Sequence, residues 1–289
     1  MQYIGYLFFR LIVFKFSLIP FRLLYKFSDF LSWLLYKVIG YRKDVIFKQL
    51  RNSFPSKSAT DIEQIAKDSY QNLADIIVES IKGFSMKEAD FRRRFIFTNP
   101  SVTNELMAKG QSVIHIAAHY GNFEWGVIAY PLFINSPILG FYKPLSNVYM
   151  EKYGRKKRAK FDIILIPIGE TAKAFVDFKD KPTAYAFVSD QSTWSDKAHW
   201  VTFLGQDTAC PPGADKYARA LNATVFYMNI QRVKRGFYEL TFELLADNPA
   251  TLPEEEVTKR FMSRLETLLH EKPEDWLWSH KRWKKKRVL

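Results

Sequence analysis

A histidine and a glutamate five positions apart, His119 and Glu124, are the residues of this chain best suited to chemistry. On one continuous helix, five positions turn about 500°, so the two side chains would lie roughly 140° apart and could not pair. They can meet if His119 follows a strand and Glu124 stands in the first turn of the next helix. Between them, Gly121 permits a sharp turn and Asn122 is a suitable helix N-cap. The spacing therefore predicts a strand–turn–helix unit that brings an imidazole and a carboxylate together.

The chemistry that such a pair supports is general-base catalysis. A carboxylate bonded to one ring nitrogen fixes the tautomer and stabilises the imidazolium that forms when the other nitrogen accepts a proton. The sequence contains no G-x-S-x-G, P-loop, G-x-G-x-x-G or H-E-x-x-H signature. With no nucleophile beside His119, the pair is predicted to deprotonate a substrate hydroxyl for direct attack. The alternative is that His119 is a turn residue and Glu124 a solvated helix position.

The elements that must position this pair alternate along the chain. Short apolar strands are predicted at 112–118, 136–142, 162–168, 183–189 and 224–230. Helices are predicted at 123–134, 147–160, 170–179, 213–221 and 253–271. This alternation is typical of an α/β fold with a mainly parallel sheet flanked by helices, to which 237–245 is expected to add an antiparallel strand at an edge.

The carboxyl ends of parallel strands form the edge where open α/β sheets bind ligands. His119 follows the strand 112–118 and is therefore expected at this edge. Asp190 and Gln191 follow the strand 183–189 and are expected there too, the alternative being that they form only a turn.

The first 40 residues are dense in aromatic and aliphatic side chains, but cations interrupt them at Arg10, Lys15, Arg22, Lys26 and Lys37. These charges exclude an uninterrupted apolar run of the roughly 20 residues that a spanning helix needs. Proline at position 20 divides the segment into predicted helices 2–18 and 21–39. We expect residues 1–40 to be an anchor embedded in or lying along one leaflet, and residues 41–289 to be the catalytic domain. The alternative is an apolar helix pair packed on a soluble core.

Composition narrows the class of partner. The 289 residues include 43 Lys and Arg against 30 Asp and Glu, which gives a net charge of +13. Such an excess indicates a polyanionic partner, which can be a nucleic acid, an anionic membrane or a phosphorylated substrate. The single cysteine, Cys210, excludes an internal disulfide and a multi-cysteine metal site. A non-enzymatic protein that binds anionic lipid fits the same charge, whereas no nucleic-acid-binding signature is present.

Several blocks of the sequence resemble one known family. The segment His119-Tyr-Gly-Asn-Phe-Glu124 resembles the H-x4-D/E motif of membrane acyltransferases, and in particular that of the bacterial lipid A biosynthesis (late) acyltransferases, which favour Glu. Residues 20–55 are similar to the N-terminal region of that family, and FYKPLSN (141–147) is similar to its Y-R-P-x-x-N block, with Lys143 in place of arginine. Further blocks follow in the expected order: SDQ (189–191), FLG (203–205), CPPGADKYARA (210–220) and WLWSHKRWKKK (276–286).

The resemblance implies transfer of a fatty acyl chain from acyl carrier protein to a hydroxyl of a lipid A precursor of the Kdo-lipid IVA type. It places the reaction on the cytoplasmic side of the inner membrane of a Gram-negative bacterium, in lipopolysaccharide biosynthesis. Acyl-CoA is the alternative donor, and another membrane glycolipid or a glycerophospholipid is the alternative acceptor. The implied mechanism uses no metal and no cofactor.

The resemblance also implies roles for single residues. His119 is the general base and Glu124 orients it. Arg158 is the first candidate, and Arg155 the second, for stabilising the oxyanion. Asn147 is expected either to shape the site or to cap the helix that follows it. Asp190 and Gln191 are expected to contact substrate. Independently of the resemblance, the charge of the terminal cations 284–287 leads us to expect a contact with an anionic membrane.

Overall fold

The alternation of helices and strands that the sequence predicts is present in the folded chain. The computed structural model describes residues 2–193 and 195–287, so residue 1 of the predicted anchor and residues 194 and 288–289 of the predicted catalytic domain lie outside the described part. The strands are β1 (Phe95–Phe97), β2 (Val113–Ala117), β3 (Ile138–Tyr142), β4 (Ile164–Pro167), β5 (Ala184–Val188), β6 (His199–Phe203), β7 (Gln206–Cys210), β8 (Thr224–Lys234) and β9 (Phe237–Ala246).

Helices precede the sheet and cover it. They are α1 (Gln2–Leu18), α2 (Phe21–Trp33), α3 (Lys43–Ser53), α4 (Ala59–Gly83), α5 (Glu88–Arg94), α6 (Ser101–Ala108), α7 (Phe123–Ala129), α8 (Val148–Arg158), α9 (Thr171–Asp177), α10 (Gly213–Leu221) and α11 (Glu256–Glu271).

Seven strands form one mixed sheet in the order β1-β9-β8-β2-β5-β3-β4. Neighbouring strands are parallel except β8 and β9, which pair antiparallel. All five residues of β2 are buried, as expected of a central parallel strand covered on both faces. The α/β class and the mostly parallel sheet are therefore confirmed.

Strand β9 lies one strand in from the edge of the sheet, and several short elements are present that the sequence pattern does not predict. The segment 237–245 was expected at a sheet edge, but β1 pairs parallel with β9 on its outer side, with Phe95 opposite Tyr238. A three-residue strand such as β1 is too short to show a periodicity. Strands β6 and β7, which form a separate two-stranded sheet, and helices α5 and α6 are likewise not predicted from the sequence.

The N-terminal segment folds as two helices that pack on α4. Pro20 ends the first of them and is the N-cap of α2, as predicted. Lys82 on α4 donates hydrogen bonds to the carbonyl oxygens of Phe16, Ser17 and Ile19, at 2.8–2.9 Å, and so caps the end of α1. The predicted helix 21–39 is divided, because a π-helical turn (Leu34–Ile39) follows α2.

The outer faces of α1 and α2 leave many large apolar side chains exposed: Tyr3, Ile4, Leu7, Phe8, Leu11, Phe14, Leu18, Leu23, Phe27, Phe30 and Trp33. Within residues 2–193 and 195–287, no helix combines the length and the apolar character required to cross a bilayer.

Candidate active site

The register of two neighbouring strands places His119 beside Asp190. Strands β2 and β5 are adjacent and parallel, with Ala117 opposite Val188 at their carboxyl ends. The ladder continues one step further, since the Ser189 N–H donates to the Ala117 carbonyl at 3.1 Å. His119 is two residues after Ala117, and Asp190 is two residues after Val188. Their side chains therefore leave the same edge of the sheet side by side.

His119 and Asp190 form a hydrogen-bonded pair. The His119 Nδ1 lies 2.7 Å from the Asp190 Oδ1, and the Asp190 side chain is only 1% exposed. Burial alone would lower the pKa of His119, but the charge and hydrogen bond of Asp190, helped by Glu124, outweigh it and raise this pKa above its ordinary value. Burial would likewise raise the pKa of Asp190, yet His119 and Trp276 hold it below its ordinary value. The pair thus keeps a basic imidazole against an ionised carboxylate.

The second oxygen of Asp190 is bound by the C-terminal segment. The Trp276 indole Nε1–H donates to Asp190 Oδ2 at 2.8 Å. The backbone of the same segment pairs with the turn after β2, because the Leu277 N–H donates to the His119 carbonyl at 3.0 Å and the Gly121 N–H to the Asp275 carbonyl at 2.9 Å. The turn that carries His119 is therefore held from both the sheet and the C-terminus.

The turn between His119 and α7 has the two features that the sequence predicts. Gly121 has a φ of +58°, and a Cβ added there would lie 3.0 Å from Ile230 Cγ2. Only glycine fits such a position without strain. Asn122 caps α7, since its side-chain oxygen accepts the Trp125 N–H at 2.9 Å. The helix begins at Phe123, which places Glu124 in its first turn.

Glu124 does not make the contact with His119 that we expected. Its carboxylate accepts two hydrogen bonds from Arg158, at 3.0 Å from Nε and 2.9 Å from Nη2. The expectation that Glu124 is the carboxylate hydrogen-bonded to the imidazole is therefore wrong, and Asp190 occupies that position. Glu124 is still close enough to help raise the pKa of His119. Arg158, expected beside the site, is brought there by this bidentate pair.

The remaining predicted residues lie at the margins of the site. Arg155 is exposed on α8, one turn before Arg158. Asn147 caps α8 by accepting the N–H groups of Tyr149 and Met150, and its side-chain amide donates to the Gln2 carbonyl; these bonds favour the capping alternative. Gln191 is half-buried directly after Asp190.

Two other histidines, one in β2 and one in the C-terminal segment, are kept neutral by burial. His115, in the middle of β2, is hydrogen-bonded to the Tyr130 hydroxyl, and burial lowers its pKa to about 3. His280 accepts the Ser192 N–H at its Nε2, and burial lowers its pKa to about 4. Of these three imidazoles, only His119 has an acidic partner on its ring. His119 is therefore the one suited to accept a proton near neutral pH.

The arrangement leaves the His119 Nε2 available to a substrate. Nδ1 is occupied by Asp190, and the side chain is 20% exposed. The Arg158 guanidinium uses Nε and Nη2 for Glu124, so its Nη1 donors remain for other partners. In the described residues, no three or more His, Cys, Asp or Glu side chains are grouped so as to hold a metal ion. The Glu124 carboxylate acts on His119 through its charge, so the site combines a base with the Glu124–Arg158 pair.

Behind the turn lies a fully buried carboxylate, Glu79 of α4. It accepts hydrogen bonds from Tyr25 of α2 at 2.7 Å, Tyr238 of β9 at 2.7 Å and Asn122 at 2.6 Å. Its backbone carbonyl accepts the Trp125 indole N–H at 2.7 Å. Glu79 therefore ties the N-terminal helices to the cap of α7, and nothing in the sequence pattern marked it, because an isolated acidic residue on a helix is usually solvated.

We expect Glu79 to make stability depend on pH. Burial raises its pKa from 4.5 to about 7, although Tyr238 and Tyr25 oppose the shift. Because this pKa is higher in the folded state than in the unfolded state, the contribution of Glu79 to stability is fully present below the unfolded-state pKa. That contribution is lost as the pH rises through about 7. The wild-type protein should therefore lose unfolding free energy on the order of 3 kcal/mol as the pH rises, and Glu79→Gln should not show this loss. Urea unfolding at pH 5 and pH 8 measures it.

The control for this change is Glu105→Gln, an exposed position on α6. Its unfolding free energy should follow the wild-type dependence on pH. If the curves of wild-type protein and Glu79→Gln run parallel between pH 5 and pH 8, Glu79 does not titrate as its burial indicates.

Comparison with known proteins gives one consistent result. The family model for bacterial lipid A biosynthesis acyltransferases matches residues 1–285. A curated relative, the lipid A biosynthesis palmitoleoyltransferase of Escherichia coli (strain K12), is 20% identical over 249 residues, which are 86% of this chain and 80% of the relative. A lipid A biosynthesis acyltransferase of Shigella flexneri matches with the same identity and coverage.

Proposed function

Because the chain belongs to the bacterial lipid A biosynthesis acyltransferase family, and is accordingly an acyltransferase, we propose that it moves a fatty acyl chain from the thioester of acyl carrier protein to a hydroxyl of a lipid A precursor. The observation that carries the mechanism is the bond between His119 Nδ1 and Asp190, which leaves Nε2 available at the carboxyl edge of the sheet.

The reaction that this geometry supports is direct attack by the acceptor. His119 Nε2 takes the proton of the acceptor hydroxyl as its oxygen bonds to the thioester carbonyl carbon. The tetrahedral intermediate then collapses, the carbon–sulfur bond breaks, and the thiolate of the donor takes the proton from the imidazolium. Asp190 holds the imidazole in the required tautomer and balances its transient charge. No acyl-enzyme intermediate is needed.

The Glu124–Arg158 pair is assigned to the developing negative charge. A guanidinium beside the imidazole can donate hydrogen bonds to the oxyanion or to a phosphate of the acceptor. Glu124 holds that guanidinium in a fixed orientation through two bonds. In this proposal Glu124 acts on Arg158 and, through its charge, on His119.

The charge at the end of α8 indicates where the acyl donor binds. The last turn of α8 carries four consecutive cations, Arg155 to Arg158, of which Arg158 reaches the site. We assign the exposed cations of this turn to the acidic surface of acyl carrier protein, since complementary charge steers such encounters. The donor would then approach the site from the α8 side.

Mass analysis of the lipid product tests the function. Purified protein is incubated with acyl carrier protein thioester and a lipid A precursor, and in parallel with a glycerophospholipid acceptor. We expect a mass increase of one acyl chain in the lipid A precursor. An increase in the glycerophospholipid alone would assign a different acceptor, and no increase in either would contradict the proposal.

We also propose that α1 and α2 lie along the cytoplasmic leaflet of the inner membrane. Their exposed apolar faces include Ile4 and Phe8, which are 70% and 65% exposed. Exposed cations accompany these faces at Arg10, Lys15, Arg22 and Lys26. Apolar rings inserted at the interface, with cations at the phosphates, are the pattern of an interfacial helix. The arrangement would bring the site close to a lipid acceptor.

The double variant Phe8→Glu/Leu11→Glu tests this anchor. The two positions lie on one face of α1 and are 65% and 49% exposed. We expect binding to vesicles of phosphatidylglycerol and phosphatidylethanolamine to weaken at least about 10-fold, because an apolar ring contributes about 2 kcal/mol on burial. Vesicle co-sedimentation measures it.

Leu244→Glu is the matched control. Leu244 is 60% exposed on β9, eight residues from the turn at Gly236 that approaches α2. Its vesicle binding should equal that of the wild type. Equal binding by all three proteins would contradict the assignment of α1 to the membrane.

A further inference from the structure

A tryptophan of the C-terminal segment is bonded to the carboxylate that holds the general base. Trp276 is 3% exposed, and its indole N–H is 2.8 Å from Asp190 Oδ2. Its ring packs against Phe203, Trp278 and Trp283, at centroid distances of 5.9, 4.7 and 6.3 Å. The backbone of Trp276 forms an antiparallel bridge with Tyr120, the neighbour of His119.

We propose that Trp276 is a positioning residue for acyl transfer, whose indole N–H holds Asp190 in the orientation that accepts the His119 Nδ1–H. The inference rests on the proposed role of His119 and extends it. The two oxygens of the Asp190 carboxylate have different side-chain partners, Oδ1 the His119 imidazole and Oδ2 the Trp276 indole, and the His119 backbone N–H also lies close to the carboxylate. The ring of Trp276 is fixed by its aromatic neighbours, so the N–H is aimed before substrate binds.

Loss of this one donor has two physical consequences. A buried carboxylate oxygen would lose its side-chain donor, so Asp190, still bonded to His119, would be free to swing together with the imidazole out of the orientation that suits catalysis. Its charge would also be shared between fewer donors, which strengthens its pull on the His119 proton and raises the pKa of His119. Both consequences act on the base, whereas a loss of packing alone would act on stability.

The chain offers a matched pair of variants. Trp278 is 1% exposed, packs edge-to-face with Trp276, and donates its indole N–H to the Pro273 carbonyl at 2.7 Å. Trp276→Phe and Trp278→Phe each remove one buried indole N–H from the same segment. Only the first removes a donor from Asp190.

The measurement is the pH profile of acyl transfer by the full-length protein. For Trp276→Phe we expect kcat to fall about 10-fold, the value of one hydrogen bond to a charged group, with KM nearly unchanged. The acid limb of kcat/KM should move to higher pH. For Trp278→Phe, which keeps an aromatic ring against Trp276, kcat should fall by clearly less than 10-fold and the acid limb should stay at its wild-type value. Equal kcat losses and equal acid limbs in the two variants would overturn the proposal.

The shift of the acid limb can be attributed to His119 only if the other titratable and charged groups around it are unchanged by the substitutions. The titratable groups that face the His119–Asp190 pair are Glu124 on α7 with Arg158 of α8 behind it, Cys210 at the end of β7, Tyr227 of β8, and His280 and Arg282 of the C-terminal segment. Neither tryptophan substitution changes any of them.

A second measurement needs no substrate. In protein labelled with ¹⁵N-histidine, the His119 signal is assigned by its absence in His119→Asn, and its titration is followed by NMR. We expect its pKa to be higher in Trp276→Phe than in wild type or Trp278→Phe. An unchanged titration in Trp276→Phe would overturn the proposal even if His119→Ala is inactive, whereas full activity in His119→Ala would contradict the proposed role of His119 on which the inference rests.

A variant of the same shape covers the case in which Trp276→Phe does not fold. Replacing Trp276 by β-(3-benzothienyl)alanine keeps the bicyclic ring and substitutes sulfur for the N–H. We expect the same loss of kcat and the same higher pKa of His119. Wild-type values for both would overturn the proposal.

Discussion

Replacing His119 by alanine is expected to lower kcat by roughly 10²–10⁴-fold while the protein stays folded. The imidazole is 20% exposed and makes its side-chain hydrogen bond to Asp190, so its removal leaves little unfilled volume in the core. Without Nε2 no group accepts the proton of the attacking hydroxyl. The rate of acyl transfer and the far-UV circular dichroism of the variant measure the two parts of this result.

His270→Ala is the control for removal of an imidazole. His270 lies near the end of α11, with a side chain that is 57% exposed. The acyl-transfer activity of His270→Ala should equal that of the wild type. An active His119→Ala would contradict the assignment of the base, and an unfolded one would assign His119 to the structure instead.

The second large effect is expected for Asp190→Asn, with a loss of kcat again of roughly 10²–10⁴-fold. The Trp276 N–H requires an acceptor, so the asparagine oxygen should turn toward Trp276 and its amide toward His119. Nδ1 would then accept a hydrogen bond, and the ring proton would move to Nε2. The base would lose the lone pair that attacks the substrate hydroxyl, which activity assays and the ¹⁵N shifts of His119 both detect.

Asp215→Asn is the matched control, because Asp215 is also 1% exposed and accepts the Val257 and Thr258 N–H groups. It should lose some stability but keep kcat. If Asp190→Asn retains wild-type kcat, the assignment of Asp190 as the orienting carboxylate is contradicted.

The part of the site that is formed by residues close together in the chain is predictable from sequence. The strand before His119, the glycine turn and the asparagine cap are all short-range features, and each is present as expected. Asp190 was also placed correctly at the sheet edge, because it follows a strand. These predictions succeed because a turn and a cap depend on residues within a few positions of one another.

The pairing within the site is not predictable in the same way. His119 meets Asp190 because β2 and β5 are neighbours, although β3 and β4 come between them in sequence. The order of strands in a sheet depends on packing across the whole domain. Spacing alone favoured Glu124 because it is only five positions away, and the same limitation hid Trp276, which comes from the far end of the chain.

The meeting of His119 and Asp190 depends on strand register and not on their distance of 71 positions along the chain. Loops between them that carry no residue of the site can therefore be lengthened or shortened among homologues without separating the two side chains. Deleting one residue between Ala117 and His119 would be different. It would move the imidazole by about 3.3 Å and turn it to the opposite face of the sheet. Natural variation in length should accordingly avoid the two residues after each strand.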